Sequence, residues 1–240
     1  MARKKKEEVV APVVETGTME ISPIKICSMI VKIEGDSDLI LCKKARSYER
    51  EEIEKQSHPK GYKIPAEFQQ PYNMWEKLIK SIHWLKPIAY HDTDYSLYSE
   101  DEWNRYMAEN SPCVLGKAFQ ESLKEAFISC GFKESTSKNG SDLKRTVSFQ
   151  SMIPISFAQA GYSQHLAQTS GMSKVNVLTQ QNYFTGWSAE VKINYLETAF
   201  PKETLIELIQ CAGKFIGLGA RRGEEYGRYH VVAVTDLAVA

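Results

Sequence analysis

The chain has 240 residues, thirty of them basic and thirty acidic, so its formal net charge at neutral pH is zero. That balance removes any global electrostatic demand for a nucleic-acid partner, and a basic surface has to be sought locally. An apolar fraction of 42% suits an ordinary globule, and no apolar run approaches the roughly 20 residues that a bilayer crossing needs.

The first stretch, "MARKKKEEVVAPVVETG", is basic, then acidic, then rich in Pro, Val and Thr. It lacks the apolar core and cleavage site of a signal peptide, so residues 1–20 are expected to be a disordered arm and the protein cytoplasmic. "RKKK" reads first as a solvated tail and second as a phosphate contact. Residues 21–240 are expected to form one domain. Cys27, Cys42, Cys113, Cys130 and Cys211 are odd in number, and none are spaced as C-x-x-C. They are expected to be small buried hydrophobes rather than disulfide or zinc ligands, and no metal or cofactor is expected.

In chain order, "IKICSMIVKIEG" (24–35) alternates as a strand, and "DSDLILCKK" prolongs it after a turn at Gly35. Residues 45–62 are highly charged and read as an exposed helix or loop. "PYNMWEKLIKSIHWL" (71–85) places Met74, Trp75, Leu78, Ile82 and Leu85 on one helical face, with Pro71 in the first turn and Pro87 closing. Ser99 with Glu102 three residues on is a capping box that opens a helix to Asn110. In 111–131, Phe119, Leu123, Ala126, Phe127 and Cys130 make an apolar stripe, and Gly131 terminates it. Residues 133–145 are polar and turn-rich, and 146–156 is a strand. Residues 157–175 carry no clear period and read as a long ordered loop, extending to about 180. "GWSAEVKINYLE" (186–197) alternates again. "PKETLIELIQCAGKFIG" (201–217) is amphipathic, with Leu205, Leu208, Ile209, Ala212 and Phe215 inward, and 227–239 is the last strand.

That order is β-α-β-β-α-β, so the expected class is α+β with a ferredoxin-like, RRM-like core. Residues 45–110 would be a large helical insertion. The helices should cover one face of the sheet and leave the other open.

The stretch "AGKFIGLGARRGEEYGRYHVV" (212–232) joins the last helix to the last strand. A dinucleotide fingerprint needs its glycines after a strand and before a helix, the reverse of this order, and "GKF" does not complete a P-loop. Glycines admit a close ligand, successive amides bind anions, and Arg221, Arg222 and Arg228 are fork-shaped donors suited to phosphate. Tyr226 and Tyr229 offer rings to bases. Against this stand the commonness of glycine caps, neutralisation by Glu224 and Glu225, and a core place for Tyr229.

The segment Gly217-Leu218-Gly219, a basic spacer, then Tyr226-Gly227 resembles the glycine-rich loop of the RAMP superfamily, the RNA-binding proteins of CRISPR effector complexes. Arg228 stands where a closing glycine is frequent. Within the superfamily the chain is similar to backbone subunits that line up along guide RNA and to phage or prophage relatives. The looser likeness spans about 99–239, with the Trp-led strand at 186–197. The resemblance implies RNA or single-stranded nucleic-acid binding, assembly as a homo-oligomer or with effector-complex subunits, no membrane and no catalysis. For a phage protein the location would be the host cytoplasm.

On that basis the nucleic-acid contacts are expected from Lys214, Gly217, Gly219, Arg221, Arg222, Tyr226 and Arg228, with the amides of 217–219 cradling phosphate. Lys43, Lys44 and Arg46 form a second basic cluster, and His165 and Lys174 lie on a thumb-like loop. A protein-interaction protein of phage type that lost the RNA groove is the alternative. An endoribonuclease using His165 as acid/base is a remote third. His83 reads as a packing or surface residue and His230 as structural, and "HDTDYS" (91–96) as a polar turn before a hard-metal site.

Overall fold

The computed structural model describes residues 25–43, 73–88, 94–131, 140–168 and 176–237. The N-terminal arm, Lys44, Arg46 and Lys174 lie outside them. The fold is mixed α/β: an antiparallel sheet of seven strands, a second sheet of three, and five helices among the described residues.

The large sheet is built on β1 (Ile26–Gly35), whose alternation buries Met29, Val31 and Ile33 and leaves Ile26 exposed. On one side it pairs with β10 (Tyr229–Leu237), and on the other with β9 (Ser188–Leu196). Beyond β9 lie β5 (Val147–Phe149) and β6 (Met152–Ser156), which share its edge end to end. From β6 the sheet continues to β4 (Pro112–Leu115) and β3 (His83–Trp84). A bulge after Lys32 puts Val232 out of register. Every pairing is antiparallel, and the spatial order of the inner strands is β10-β1-β9-β5.

Two helices cover one face. α3 (Gly116–Ser129) buries Phe119, Leu123, Ala126 and Phe127, and α5 (Lys202–Cys211) buries Leu205, Leu208 and Ile209. They close on Val191, Ile193 and Tyr195 of β9. At about 1.5–3 kcal/mol for each fully buried large apolar side chain, this layer dominates the fold's stability.

The second sheet orders β2 (Leu39–Leu41), β8 (Asn176–Thr185) and β7 (Gln159–Gln168). Against β8 packs α1 (Met74–Lys80), which in turn meets α2 (Glu100–Glu109). Asn182, fully buried, holds these pieces together. Its Oδ1 accepts from the Trp103 indole at 2.9 Å, and its Nδ2 donates to the Leu78 carbonyl at 2.9 Å and to Ser81 Oγ at 3.0 Å. Trp75, Trp103 and Tyr162 cluster alongside, Trp75 and Tyr162 edge to face at 5.0 Å. A last short helix, α4 (Gly140–Thr146), precedes β5. No helix among the described residues is long and apolar enough to cross a membrane.

Several expectations are corrected. Within the stretch expected as a loop, 159–168 and 176–180 are strand: β7 and β8 pair from Gln159↔Thr185 to Gln168↔Asn176, and 169–175 lie outside the described residues. The strands hide from an apolar count because their buried positions include Gln180, Gln181 and Asn182. The helix expected over 71–85 is only α1. Asn73 caps it, accepting from the amides of Trp75 and Glu76, and beyond Ser81 the chain turns into β3, leaving Leu85 exposed. The segment 111–131 holds two elements, since Pro112–Leu115 is a strand that runs straight into α3, which carries the expected stripe. Ser99 caps α2 as expected, accepting from the Glu102 amide at 3.2 Å. Of the cysteines only Cys113 is buried, and Cys42 is exposed.

Candidate nucleic-acid interface

The glycine-rich loop starts from an irregularity in α5. After Cys211 the helix widens into a π-turn (Ala212–Ile216), closed by the Gly217 amide donating to Ala212 O at 2.8 Å. A turn with one extra residue advances the inward face by one position. Ile216 therefore packs against the core, and Phe215, expected inward, stands 56% exposed. Lys214 is exposed beside it, its Nζ 5.6 Å from the Phe215 ring centre. Within the π-turn a Cβ on Gly213 would lie 2.1 Å from the Tyr229 carbonyl oxygen, so only glycine lets β10 start this close. Tyr229 itself is fully buried between Trp187 and Phe119, which removes it from the stacking candidates.

The loop is pinned from three directions. Ser122 of α3 donates to the Gly217 carbonyl at 2.9 Å, and the Ala220 amide donates to Ile40 O of β2 at 2.8 Å. The β1–β2 turn holds the far limb. Gly227 N donates to Asp38 O at 2.8 Å, Ser37 Oγ donates to Glu225 O at 2.7 Å, and the Arg228 amide donates to Ser37 Oγ at 3.0 Å. Gly219 has φ +74°, and a Cβ there would meet Ile40 O at 2.3 Å. Arg221 and Glu225 take the left-handed conformation with side chains attached, at φ 57° and 67°. Such backbone costs on the order of 1–3 kcal/mol and persists only where its surroundings fix it.

These bonds correct the expected amide cradle. The Gly217 amide donates to Ala212 O and the Leu218 amide to Gly227 O at 2.9 Å, so neither points outward as that cradle requires. The three arginines differ. Arg221 forms a forked pair with Glu224 and stacks over Tyr226 at 5.1 Å, and Arg222 Nη1 donates to Glu125 of α3 at 3.1 Å. Arg228 meets no carboxylate among the described residues. Its Nη2 donates to the Arg222 carbonyl at 3.3 Å, and its Nη1 is enclosed without an acceptor.

Three concavities run in series from this loop. The first, of about 480 Å³, is walled by the three arginines with Phe215 and Glu125. Gly219 is shared with the second, a cavity of about 410 Å³ whose walls are Leu41, Val114, Leu115 and Ala118 and whose rim carries Lys43 and Lys117. Lys43 and His83 are shared in turn with the third, of about 200 Å³, which adds Lys86. Burial, with Lys43 alongside, pushes the His83 imidazole below its ordinary value.

Of the expected residues, the structure thus brings Arg221, Arg222, Arg228 and Gly219 together in the first concavity, with Lys214 and Tyr226 at the loop's two ends. Lys43 lies apart in the second and third. His165 falls on β7 opposite Thr179. Lys117, His83 and Phe215 are additions. Lys117 is legible in the sequence only as the second residue of a helix, and Phe215 depends on a π-turn that no periodicity signals. Asp94 accepts from the Ser96 amide at 3.1 Å as a polar turn does; His91 and Asp92 lie outside the described residues. His230 is exposed, its Nδ1 2.7 Å from Asp36 Oδ1. No group of three or more His, Cys, Asp or Glu among the described residues is placed to hold a metal ion.

No family model matches the chain, and no curated protein matches it. Solved structures similar to it include the cryo-EM structure of the Type III-B Cmr-beta bound to cognate target RNA, with 8% identity and a TM-score of 0.43 over 89% of this chain and 61% of that one. The crystal structure of Cmr6 from Pyrococcus furiosus gives 8% identity and a TM-score of 0.42 over 88% of this chain and 100% of that one. These structural neighbours are RAMP-type Type III CRISPR subunits, and the chain spans 61% of the length of the first.

Proposed function

We propose that this protein is a non-catalytic subunit that binds single-stranded nucleic acid, RNA above all, along the groove beside α3 and the glycine-rich loop. One observation carries the reading: three concavities joined through Gly219 and then Lys43 and His83, with Arg221, Arg222, Arg228, Lys117, Lys43 and Lys86 spaced along them. A chain of phosphates needs such a track, whereas a small metabolite needs one closed site. Phe215 and Tyr226 stand at the loop to stack on bases. The core order β1-α3-β5-β9-α5-β10, with β10-β1-β9-β5 in space, supports a ferredoxin-like core. The proposed domain is 21–240, with 45–110 as its insertion and the 157–180 hairpin in the thumb position. Assembly as a repeated subunit in the cytoplasm completes this reading.

The carboxylates of Glu224 and Glu125 favour the competing reading, a protein-interaction protein that has given up the groove. Both pairs are exposed, however, and such pairs contribute only ~0–1 kcal/mol. A phosphate offers each guanidinium the same kind of charge-assisted bond as the carboxylate it replaces, and a strand adds several such contacts at once, so the glutamates oppose a polyanion only weakly. Fluorescence anisotropy with a labelled single-stranded RNA at two salt concentrations tests this. The double variant Arg221→Ala/Arg222→Ala should bind at least about tenfold more weakly, and its log K against log salt slope should be shallower by one to two. Undetectable binding at low salt by demonstrably folded protein hands the case to the protein-interaction reading. Cleaved RNA, lost on His165→Ala, would revive the nuclease.

A further inference from the structure

The cavity enclosed by β2, β4 and the first turn of α3 is unlike its two neighbours. Its lining is largely apolar, with Leu41, Val114, Leu115 and Ala118, and its charged members are Lys43, Lys117 and Glu121. At about 410 Å³ it has the size of a small-ligand pocket, and its apolar walls with few polar groups are the usual composition of one. It is also not isolated. Gly219 and Ala220, at the turn of the arginine loop, form one of its edges, and Gly219 also lines the concavity of Arg221 and Arg222, so the two sites adjoin.

We propose that this cavity receives one nucleobase, turned out of the stack of the bound single strand, while Lys43 and Lys117 meet the phosphates on either side of it. The proposal rests on the strand-binding reading above and adds a base pocket to it. An aromatic base is flat and apolar on its faces and polar on its edge. Aliphatic walls match the faces, and His83, the nearest ring at the rim, offers the edge one donor and one acceptor while neutral. Unstacking is least costly in a single strand, where no pairing has to be broken. Neither lysine alone makes a site; the shared loop edge ties the cavity to the arginines and selects a strand rather than a free metabolite.

Cys42 provides the test, because it is exposed and lines the same cavity. Two labelled strands of equal length and charge are compared by anisotropy, one an oligoadenylate and one its fully abasic counterpart. The wild-type protein is expected to bind the oligoadenylate at least about tenfold more tightly. Cys42→Trp, which fills the mouth from an exposed position, should cut the preference for the oligoadenylate severalfold, leaving what Phe215 and Tyr226 contribute by stacking, and should leave the abasic affinity unchanged. If the variant does not fold, alkylation of wild-type Cys42 by iodoacetamide gives a second reading: the oligoadenylate slows it severalfold, and the abasic strand does not. Equal affinity for the two strands, or Cys42 alkylated at one rate with either bound, overturns the base pocket while leaving strand binding intact. Failure of both strands to bind overturns both.

Discussion

The glycine-rich loop and the β7–β8 hairpin look alike as sequence, both polar, short of apolar residues and without a clear period, yet they fold in opposite ways. The hairpin is ten residues of regular ladder on each side. The loop, from Gly217 to Arg228, has almost no repeating structure and places five residues at positive φ: Gly217, Gly219, Arg221, Glu225 and Gly227. The difference lies in where each segment's hydrogen-bonding groups find partners. The hairpin satisfies its backbone in regular ladders, within itself and with β2, and turns amide side chains inward, so that Asn182 serves the core in place of a Leu or Val. The loop satisfies its backbone against three other elements and turns its charged side chains outward. Missing apolar periodicity therefore means two things: a strand with a polar interior, or a segment shaped by its surroundings.

Substitutions in the two segments test that contrast. The largest effect is expected from Asn182→Leu. It leaves the buried Trp103 indole without an acceptor, at about 1–3 kcal/mol, and removes two further bonds at about 0.5–1.5 kcal/mol each, one to Ser81 Oγ and one to the Leu78 carbonyl, which keeps Ser81 Oγ at 2.9 Å. Chemical denaturation should show a loss of about 3–5 kcal/mol or outright failure to fold; a loss below about 1 kcal/mol would mean that the hairpin does not depend on its polar interior. Gly219→Ala comes next. The left-handed backbone and the approach to Ile40 O together should cost about 2–3 kcal/mol, read by the same titration. A neutral result would show that the loop is free to move, and would undercut a preformed groove.

The smallest effect concerns pH. Because His83 has its imidazole pushed down from 6.5 in the folded protein, the unfolded chain binds the proton more readily. Stability should hold above about pH 6.5 and fall as the pH drops from there through the lower folded value. In His83→Gln that part of the decline should flatten, measured as the midpoint of thermal unfolding between pH 5 and 7.5. An unchanged profile would place His83 in open solvent, away from the cavity rim.

Much of the architecture was legible because it rests on short-range rules. The alternation in 26–35 and 188–196, the stripe Phe119-Leu123-Ala126-Phe127 and the Ser99 cap are each fixed by a period or by a hydrogen bond within four residues. The loop's position between α5 and β10 was legible too, from glycines following an amphipathic run. Its chemistry was only half legible. Arginines at 221, 222 and 228 mark positive charge, but Glu125 is 97 positions from Arg222 in the chain, and only packing brings the two together.

Residue order alone shows which segments hide an apolar face, where helix and strand alternate along the core, and that positive charge collects after the last helix. Packing settles that Phe215 faces solvent, that the amides of Gly217 and Leu218 are taken up by carbonyls, and that Lys43 and Lys117 border one cavity with Gly219. The two differ in range. Amphipathic periods are properties of neighbouring residues, whereas a π-turn, a carbonyl 2.3 Å from an absent Cβ and a shared cavity edge arise when elements distant in the chain are pressed together.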